Sequence, residues 1–488
     1  MWGWALLGLR SVEEYLASLR DGREVYYRGS RVDDVTSHEV LGAAVRHASE
    51  IYRLQFDPAY RDLLTYEDPK LGRVSRFYKI PRGPEDLVER FKLIYETTRL
   101  GRGMFNIIKA IGSDALFALL IISKRVDEAL GTSYHERVTR YYEMVASKDL
   151  ALAVAQTDVK GDRSRRPHQQ DDPDMYLRIV ERTKDGIYVQ GAKAHTTQSI
   201  AANEIIVLPT RAMTENDRDY AVAFAVPANA RGLKLVSRPM KAVESALRDP
   251  WFVMGRMNVE NETLTIFDNV FVPWERVFLA GEWRFAGPLA VTFPMYHRFT
   301  AIAYRAAMAD LLVGLAKLIA EYNGVDDKPH IRRDIVNIIR YKETLRATAI
   351  AAAYTCQVDP ATGIAVPNVV MTNVGKLHAN EEYVNAVKNL VDVAGGLAAT
   401  LPSPQDFENP SLKPYLEKYL KARGPALERA RLLALVRELI SSFGALFTVA
   451  MIHAEGSIEA SVIELYRSYN YEDSKKLALY AAGIRESF

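Results

Sequence analysis

The chain has 488 residues, 48% hydrophobic and 25% charged, with 63 basic against 61 acidic side chains and a net charge of +2. That length carries two or three domains around a large core, and the balanced charge gives no electrostatic case for nucleic acid as the main partner. One cysteine, Cys356, excludes an intrachain disulfide framework and any metal site that needs several thiolates.

Residues 1–9 are apolar but short and lack a basic region ahead of them, so they do not read as a signal peptide. No run reaches the ~18 apolar residues of a membrane span, and a cytoplasmic protein without membrane partners is expected. Residues 11–19 read as a short helix with Ser11 as N-cap and Glu14 closing a capping box; Asp21-Gly22 ends it. A small β excursion over 25–32 follows, then helical patterns from His38, over 86–98, 104–130 and 135–146. The texture changes at about 146. Residues 176–182 and 187–190 flank Thr183-Lys184-Asp185-Gly186, a hairpin signal in which Asp-Gly suits positive φ. Short β-rich runs at 205–209, 220–226, 233–237 and 264–272 suggest an antiparallel barrel or sandwich, the last interrupted at Asp268-Asn269. From Ala286 onward helical segments of 300–323, 331–354, 369–393, 426–450 and 456–469 suit a bundle. Cys356, beside the apolar run 351–355, reads as a small core residue.

The expected fold is therefore α+β and mostly α. An N-terminal helical domain spans 1–145, a middle antiparallel β-barrel 146–285, and a C-terminal helical bundle 286–488. That order is the order of the acyl-CoA dehydrogenase architecture, though layout alone does not fix function.

Polar chemistry is densest from 157 to 199. Thr157, Asp158, Lys160, Gly161, Asp162 and Arg163 open this stretch, and His195, Thr196 and Thr197 close it. Hydroxyls and glycine amides can hydrogen-bond a cofactor's ring atoms, and Lys160 or Arg163 can meet a pyrophosphate. By residue type alone, Lys160, Asp162 and Arg163 read first as a solvated ion-pair loop.

The segments Thr157-Asp158-Val159-Lys160-Gly161-Asp162-Arg163, Asp172-Pro173-Asp174 and Gly191-Ala192-Lys193-Ala194-His195 closely resemble the 4-hydroxybutyryl-CoA dehydratase/vinylacetyl-CoA delta-isomerase family. So do Phe267-Asp268-Asn269-Val270-Phe271-Val272-Pro273, Tyr296-His297-Arg298 and Ala394-Gly395-Gly396-Leu397, with Gly456-Ser457 near the end. The 4-hydroxyphenylacetate 3-hydroxylase group is a wider relative. The resemblance implies a homotetrameric FAD protein with flavin contacts at 157–163 and 195–197. It also implies Ala394, Gly395, Gly396, Gly456 and Ser457 reaching a neighbour's flavin. Three positions that carry cluster-ligating cysteines in the dehydratases are Asn106, Ala110 and Tyr304 here, leaving His297 alone, so a 4Fe–4S cluster is not expected and no metal site is assigned. A key tyrosine of that family is Ala301, while its active-site threonine and glutamate are kept as Thr197 and Glu262. The hydroxylases' catalytic arginine, tyrosine and histidine fall near Ile107, Ile111 and Val154.

The expected activity is proton transfer on a short acyl-CoA, the isomerisation of vinylacetyl-CoA to crotonyl-CoA. His297 is the base, Glu262 its partner and Thr197 a flavin or substrate donor. Two alternatives stay open: a two-component aromatic monooxygenase fed with reduced FAD by a separate reductase, and a non-catalytic subunit assembled with an active paralogue. His297 also reads as a side chain simply packed in the bundle, and Glu262 as a carboxylate of a surface loop 261–263.

Overall fold

Ser11 and Glu14 cap the helix Val12–Ser18 reciprocally, as their spacing predicts. This computed structural model describes residues 8–443 and 450–484. Nearly all of the apolar start, and residues 444–449 of the helical segment expected over 426–450, lie outside the described residues.

Strands β1 (Glu24–Tyr27) and β2 (Ser30–Val32) form the small excursion. Arg28 and Gly29 turn between them at positive φ. After the hairpin of β3 (Thr65–Asp68) and β4 (Gly72–Ser75), the strands are β5 (Leu152–Ala155), β6 (Arg178–Arg182), β7 (Gly186–Thr197), β8 (Glu204–Val207), β9 (Val222–Pro227), β10 (Leu233–Ser237), β11 (Glu262–Pro273) and β12 (Val277–Ala280). Six of them pair in the order β2-β1-β10-β11-β7-β6, and four as β12-β9-β8-β5. No closed barrel forms among the described residues: each sheet is open, with two edges. Nor is the pairing wholly antiparallel. Strand β1 runs parallel to β10, and β5 parallel to β8. Parallel partners need a long crossover, and here the N-terminal helices provide one for β1. The N-terminal region is thus not purely helical but part of the main sheet. The sheets meet where Phe267 of β11 stands edge-on to Phe224 of β9, centroids 5.8 Å apart.

The expected hairpin β6–β7 forms, with Arg182 opposite Ile187 and an irregularity between Ile179 and Glu181. Gly186 is not needed there for positive φ, however. A Cβ on it would lie 2.2 Å from the carbonyl oxygen of Val272, so glycine permits the close pass of β11.

The helix expected over 104–130 begins only at Ala110 and runs Ala110–Leu130. The preceding residues find partners outside a helix: Phe105 O pairs with His47 Nε2 at 2.9 Å, and the Asn106 amide donates to His47 O at 2.5 Å. The 41-residue helix Trp283–Asn323 passes through Pro288 and Pro294 and packs against Pro84–Leu100, Ala110–Leu130, Pro329–Tyr354 and Val369–Ala394. Its buried face includes Tyr296, His297, Arg298, Thr300, Tyr304 and Arg305. Cys356 sits just beyond helix Pro329–Tyr354, half-buried rather than in the core. Among the described residues no helix is long and apolar enough to cross a membrane.

Candidate functional site

The polar stretch folds into a cradle at the end of β5. Ala194 N donates to Thr157 O at 2.8 Å, and Asp158 forms an isolated bridge with Lys193. The two side chains also pair, Lys193 Nζ lying 2.8 Å from Asp158 Oδ1, each 2% exposed. Asp158 further accepts from Leu177 N at 2.9 Å and from the Thr210 hydroxyl. Its carboxylate is therefore committed to holding the cradle together. Asp162 likewise accepts from the backbone and hydroxyl of Ser164, closing its own turn.

Lys160 and Gly161 both adopt positive φ, 76° and 47°. Two successive left-handed residues swing the loop back over Met175, whose carbonyl accepts from Lys160 N at 3.1 Å. The Lys160 ammonium is pushed down by burial and by two neighbouring cations, Arg163 and Arg211, against the pull of Asp158. Lys160 thus feels two further positive groups, while Asp158, which opposes them, is already bound to Lys193. Such a set suits a bound pyrophosphate. Arg211 was not singled out from the sequence, where it stands in no motif.

Directly after Lys193, near the C-terminal end of β7, one extra residue bulges between the pairs Thr196–Thr263 and Lys193–Thr265. His195 takes φ 57° and is exposed. Beyond the bulge Thr196 is fully buried, and its Oγ1 has no hydrogen-bond partner among the described residues. Such an orphan hydroxyl fits a ligand acceptor that completes it. Thr197 pairs directly with Glu262 across the strands. Glu262 opens β11 rather than sitting in a loop, and its carboxylate lies 3.2 Å from Arg238 Nε.

His297 is 8% exposed. Its Nδ1 lies 3.1 Å from Asp114 Oδ2, and Phe293 stacks on its ring at 5.4 Å. Asp114 is wholly buried and also receives Arg90 at 2.6 Å and the Thr300 hydroxyl at 3.2 Å. An acceptor at Nδ1 favours the tautomer with the proton there, leaving Nε2 as a free base.

Beyond His297 along the same helix, Tyr304 donates to Glu455 Oε1 at 2.6 Å and stacks on Phe105 at 4.6 Å. Arg305 Nη2 lies 2.8 Å from Glu455 Oε2, and Lys376 Nζ 3.6 Å from it. Burial works to raise the Glu455 carboxyl, but Arg305 and Lys376 hold it below its ordinary value. Glu455 was missed in the sequence because its partners come from two distant helices. Arg298 donates to Glu455 O at 3.1 Å and stands where a Cβ on Gly456 would meet it, at 2.9 Å. Gly456 keeps φ 95°, and Ser457 caps the helix Ile458–Ser468.

Ala394, Gly395 and Gly396 lie at the C-terminal end of Val369–Ala394. A Cβ on either glycine would meet nothing within 4 Å, so this turn presents bare backbone. Asn106 is buried, with Oδ1 unpartnered and its amide on His47. Together with Ala110 and the Glu455-bound Tyr304, it offers no thiolate for an iron–sulfur cluster, so the donor set does not fit one. Among the described residues no group of three or more His, Cys, Asp or Glu is arranged to hold a metal ion.

Comparison with known proteins places this geometry in context. The profile for the 4-hydroxyphenylacetate 3-hydroxylase N terminal region matches residues 11–279, and that for the C terminal region matches 286–483. The chain is 32% identical over 492 residues to a Clostridium aminobutyricum 4-hydroxybutyryl-CoA dehydratase/vinylacetyl-CoA-Delta-isomerase, covering 98% of this chain and 100% of that protein. It is 31% identical to the oxygenase component of a Thermus thermophilus 4-hydroxyphenylacetate 3-monooxygenase, covering 96% of each. Among solved structures, an oxygen-tolerant archaeal 4-hydroxybutyryl-CoA dehydratase from N. maritimus aligns with TM-score 0.90 at 32% identity, over 98% of this chain and 95% of that one. An oxygenase component of 4-hydroxyphenylacetate 3-monooxygenase complexed with FAD aligns with TM-score 0.89 at 30% identity, over 98% of each.

Proposed function

The chain belongs to the 4-hydroxyphenylacetate 3-hydroxylase family, and from that premise we propose that it is an FAD-binding enzyme that moves a proton along a short acyl-CoA, converting vinylacetyl-CoA to crotonyl-CoA. The observation that carries this reading is the His297–Asp114 pair, a buried base with its orienting carboxylate. The proton on the carbon between a thioester and a double bond is acidic enough for such a base. His297 Nε2 takes it, Asp114 steadies the imidazolium, and the proton returns at the far carbon. A positioned base contributes about 10²- to 10⁴-fold. Thr197 and Glu262, paired across the strands at the C-terminal end of β7, serve as donor and carboxylate there.

For the flavin, Lys160, Arg163 and Arg211 would meet the pyrophosphate, and Thr196 with the backbone of Gly161 and His195 the remaining polar atoms. Thr157, Asp158 and Asp162 shape that loop. When bound, FAD supplies a redox-active ring and a flat aromatic wall. The bare turn 394–396 and Gly456-Ser457 would reach a neighbouring protomer's flavin in a homotetramer with helical, β and helical parts over 1–145, 146–285 and 286–488. Without thiolates at Asn106, Ala110 and Tyr304, we infer a reaction that uses no cluster.

The likeness to FAD-bound oxygenase components supports a second reading, a monooxygenase supplied by a reductase. Against it, Ile107, Ile111 and Val154 are apolar and buried, and none can act as base for a phenol.

The deciding experiment incubates FAD-loaded protein with vinylacetyl-CoA in deuterated water. Deuterated crotonyl-CoA is expected, with the rate lost in His297→Ala. An unchanged rate in that variant would overturn the base assignment. Hydroxylation of 4-hydroxyphenylacetate with reduced FAD, and no isomerisation, would favour the second reading.

A further inference from the structure

Two residues before Glu262 lies a carboxyl group that the reaction above does not use. Glu260 precedes β11, where the segment 101–107 folds against residues 258–262. Arg102 Nη1 donates to Asn258 Oδ1 at 2.9 Å, and Asn258 Nδ2 lies 3.3 Å from His47 Nδ1. The residue keeps some exposure, but its Oε1 is shut off from solvent and has no hydrogen-bond partner among the described residues. Arg238 donates to the Glu260 backbone oxygen at 2.8 Å and spends its charge on Glu262. Other groups whose charge or dipole acts on it are acidic or neutral and include Glu262, Glu455, the Tyr304 hydroxyl and the backbone N–H of Ile107. We propose that Glu260 is a further site residue, a neutral carboxylic acid that donates a hydrogen bond to the oxygen of the bound ligand, the thioester carbonyl in an acyl-CoA. The inference rests on the acyl-CoA reading for the identity of that oxygen, and on the unpartnered Oε1 for the place of the donor.

Burial, then Glu262, raises the carboxyl to about 8, with the Ile107 N–H and Arg238 working the other way. An orphan oxygen shut off from water is costly for a carboxylate and useful for an acid, whose O–H seeks an acceptor. Glu455, held ionised by Arg305 and Lys376 on the far side of Tyr304, shows the opposite shift. Two carboxyls whose surroundings drive them apart is the pattern by which sites assign acid and base. A neutral acid on the thioester oxygen stabilises the negative charge that grows there as the carbon loses its proton.

The test uses FAD-loaded protein with two probes, butyryl-CoA and 4-hydroxyphenylacetate, followed by infrared difference spectroscopy and titration calorimetry from about pH 6 to 9. Wild type should show a carboxylic-acid carbonyl band near neutral pH that is missing in Glu260→Gln and shifts when a probe binds. Probe affinity should fall about tenfold for each pH unit above 8 in wild type. In Glu260→Gln, which keeps a neutral donor, it should stay level. Glu260→Ala should bind about tenfold more weakly at neutral pH, with flavin content and Tm measured alongside. Absence of the acid band, or a band indifferent to both probes, overturns the proposal. A band that responds to 4-hydroxyphenylacetate and not to butyryl-CoA keeps Glu260 as donor and removes the acyl-CoA reading instead.

Discussion

At the scale of single residues, the roles divide between side chains whose chemistry is visible in the sequence and those that folding creates. His297, Thr197 and Glu262 were singled out because they stand in segments with a family resemblance. Asp114 was not, since a lone aspartate in an apolar helix carries no motif until it meets His297. Glu260 lies beside the segment 102–107, of which 104–107 were expected to be helical. Asp114→Asn should leave the flavin bound while lowering isomerisation by about 10²-fold or more, because the amide carries no charge to steady the His297 imidazolium and can turn its NH₂ toward Nδ1. An unaltered kcat would remove Asp114 from the mechanism. Gly112 offers a structural counterpart. A Cβ there would lie 2.2 Å from Cβ of Leu152, so Gly112→Ala should lower stability by about 1–3 kcal/mol through overpacking. The ordinary gain of about 1 kcal/mol for alanine in a helix works against that, and a raised Tm would show that Leu152 can give way.

At the scale of elements, alternation and caps foretold most helices and strands, as in the Ser11–Glu14 box and the β6–β7 hairpin. What pattern could not show was the bulge at His195, the parallel pairings and the late start of helix Ala110–Leu130. Each depends on partners far along the chain. One short turn has a titration of its own. Glu438 is wholly buried at the start of the π-helical turn Glu438–Ser442. It accepts from Gly255 N at 2.7 Å and Met254 N at 3.4 Å. Burial pushes its carboxyl up to about 7, against those two N–H groups. The folded chain therefore holds a proton that the unfolded chain releases near 4.5, and stability falls as pH rises between these values, levelling above about 7. Glu438→Gln keeps an acceptor and removes the titration. Thermal melts from pH 5 to 8 should show a smaller decline than wild type, by up to about 3 kcal/mol. Parallel declines would assign the effect to other groups.

At the scale of the whole molecule, buried polar contacts tie the N-terminal segment to the rest. Lys109 and Asp149 are both fully buried and paired. Gln55 joins both, at 3.2 Å and 2.8 Å, and Arg10 N reaches Asp149 at 3.2 Å. Lys109→Met should cost about 3–5 kcal/mol by stranding the carboxylate. Adding Asp149→Asn should recover part of that loss in chemical denaturation, and no recovery would place the cost in packing rather than charge. Charge composition gave no hint of this pair, because nothing in a sequence distinguishes a buried lysine from a surface one.

The parallel pairing of β1 with β10 also sets a timetable. Residues 24–27 lie against 234–237, some two hundred positions later. On a ribosome adding about 5–20 residues per second, β1 waits on the order of ten to forty seconds for its partner. Throughout that interval the β1–β2 ribbon carries an open edge, the kind that recruits other chains. Nascent chains stalled before residue 233 should be cleaved by protease near residues 24–32, and those stalled well beyond β11 should resist. The strand that is made first is among the last to be secured, so the early part of this protein depends on the cell to shelter it until the middle arrives.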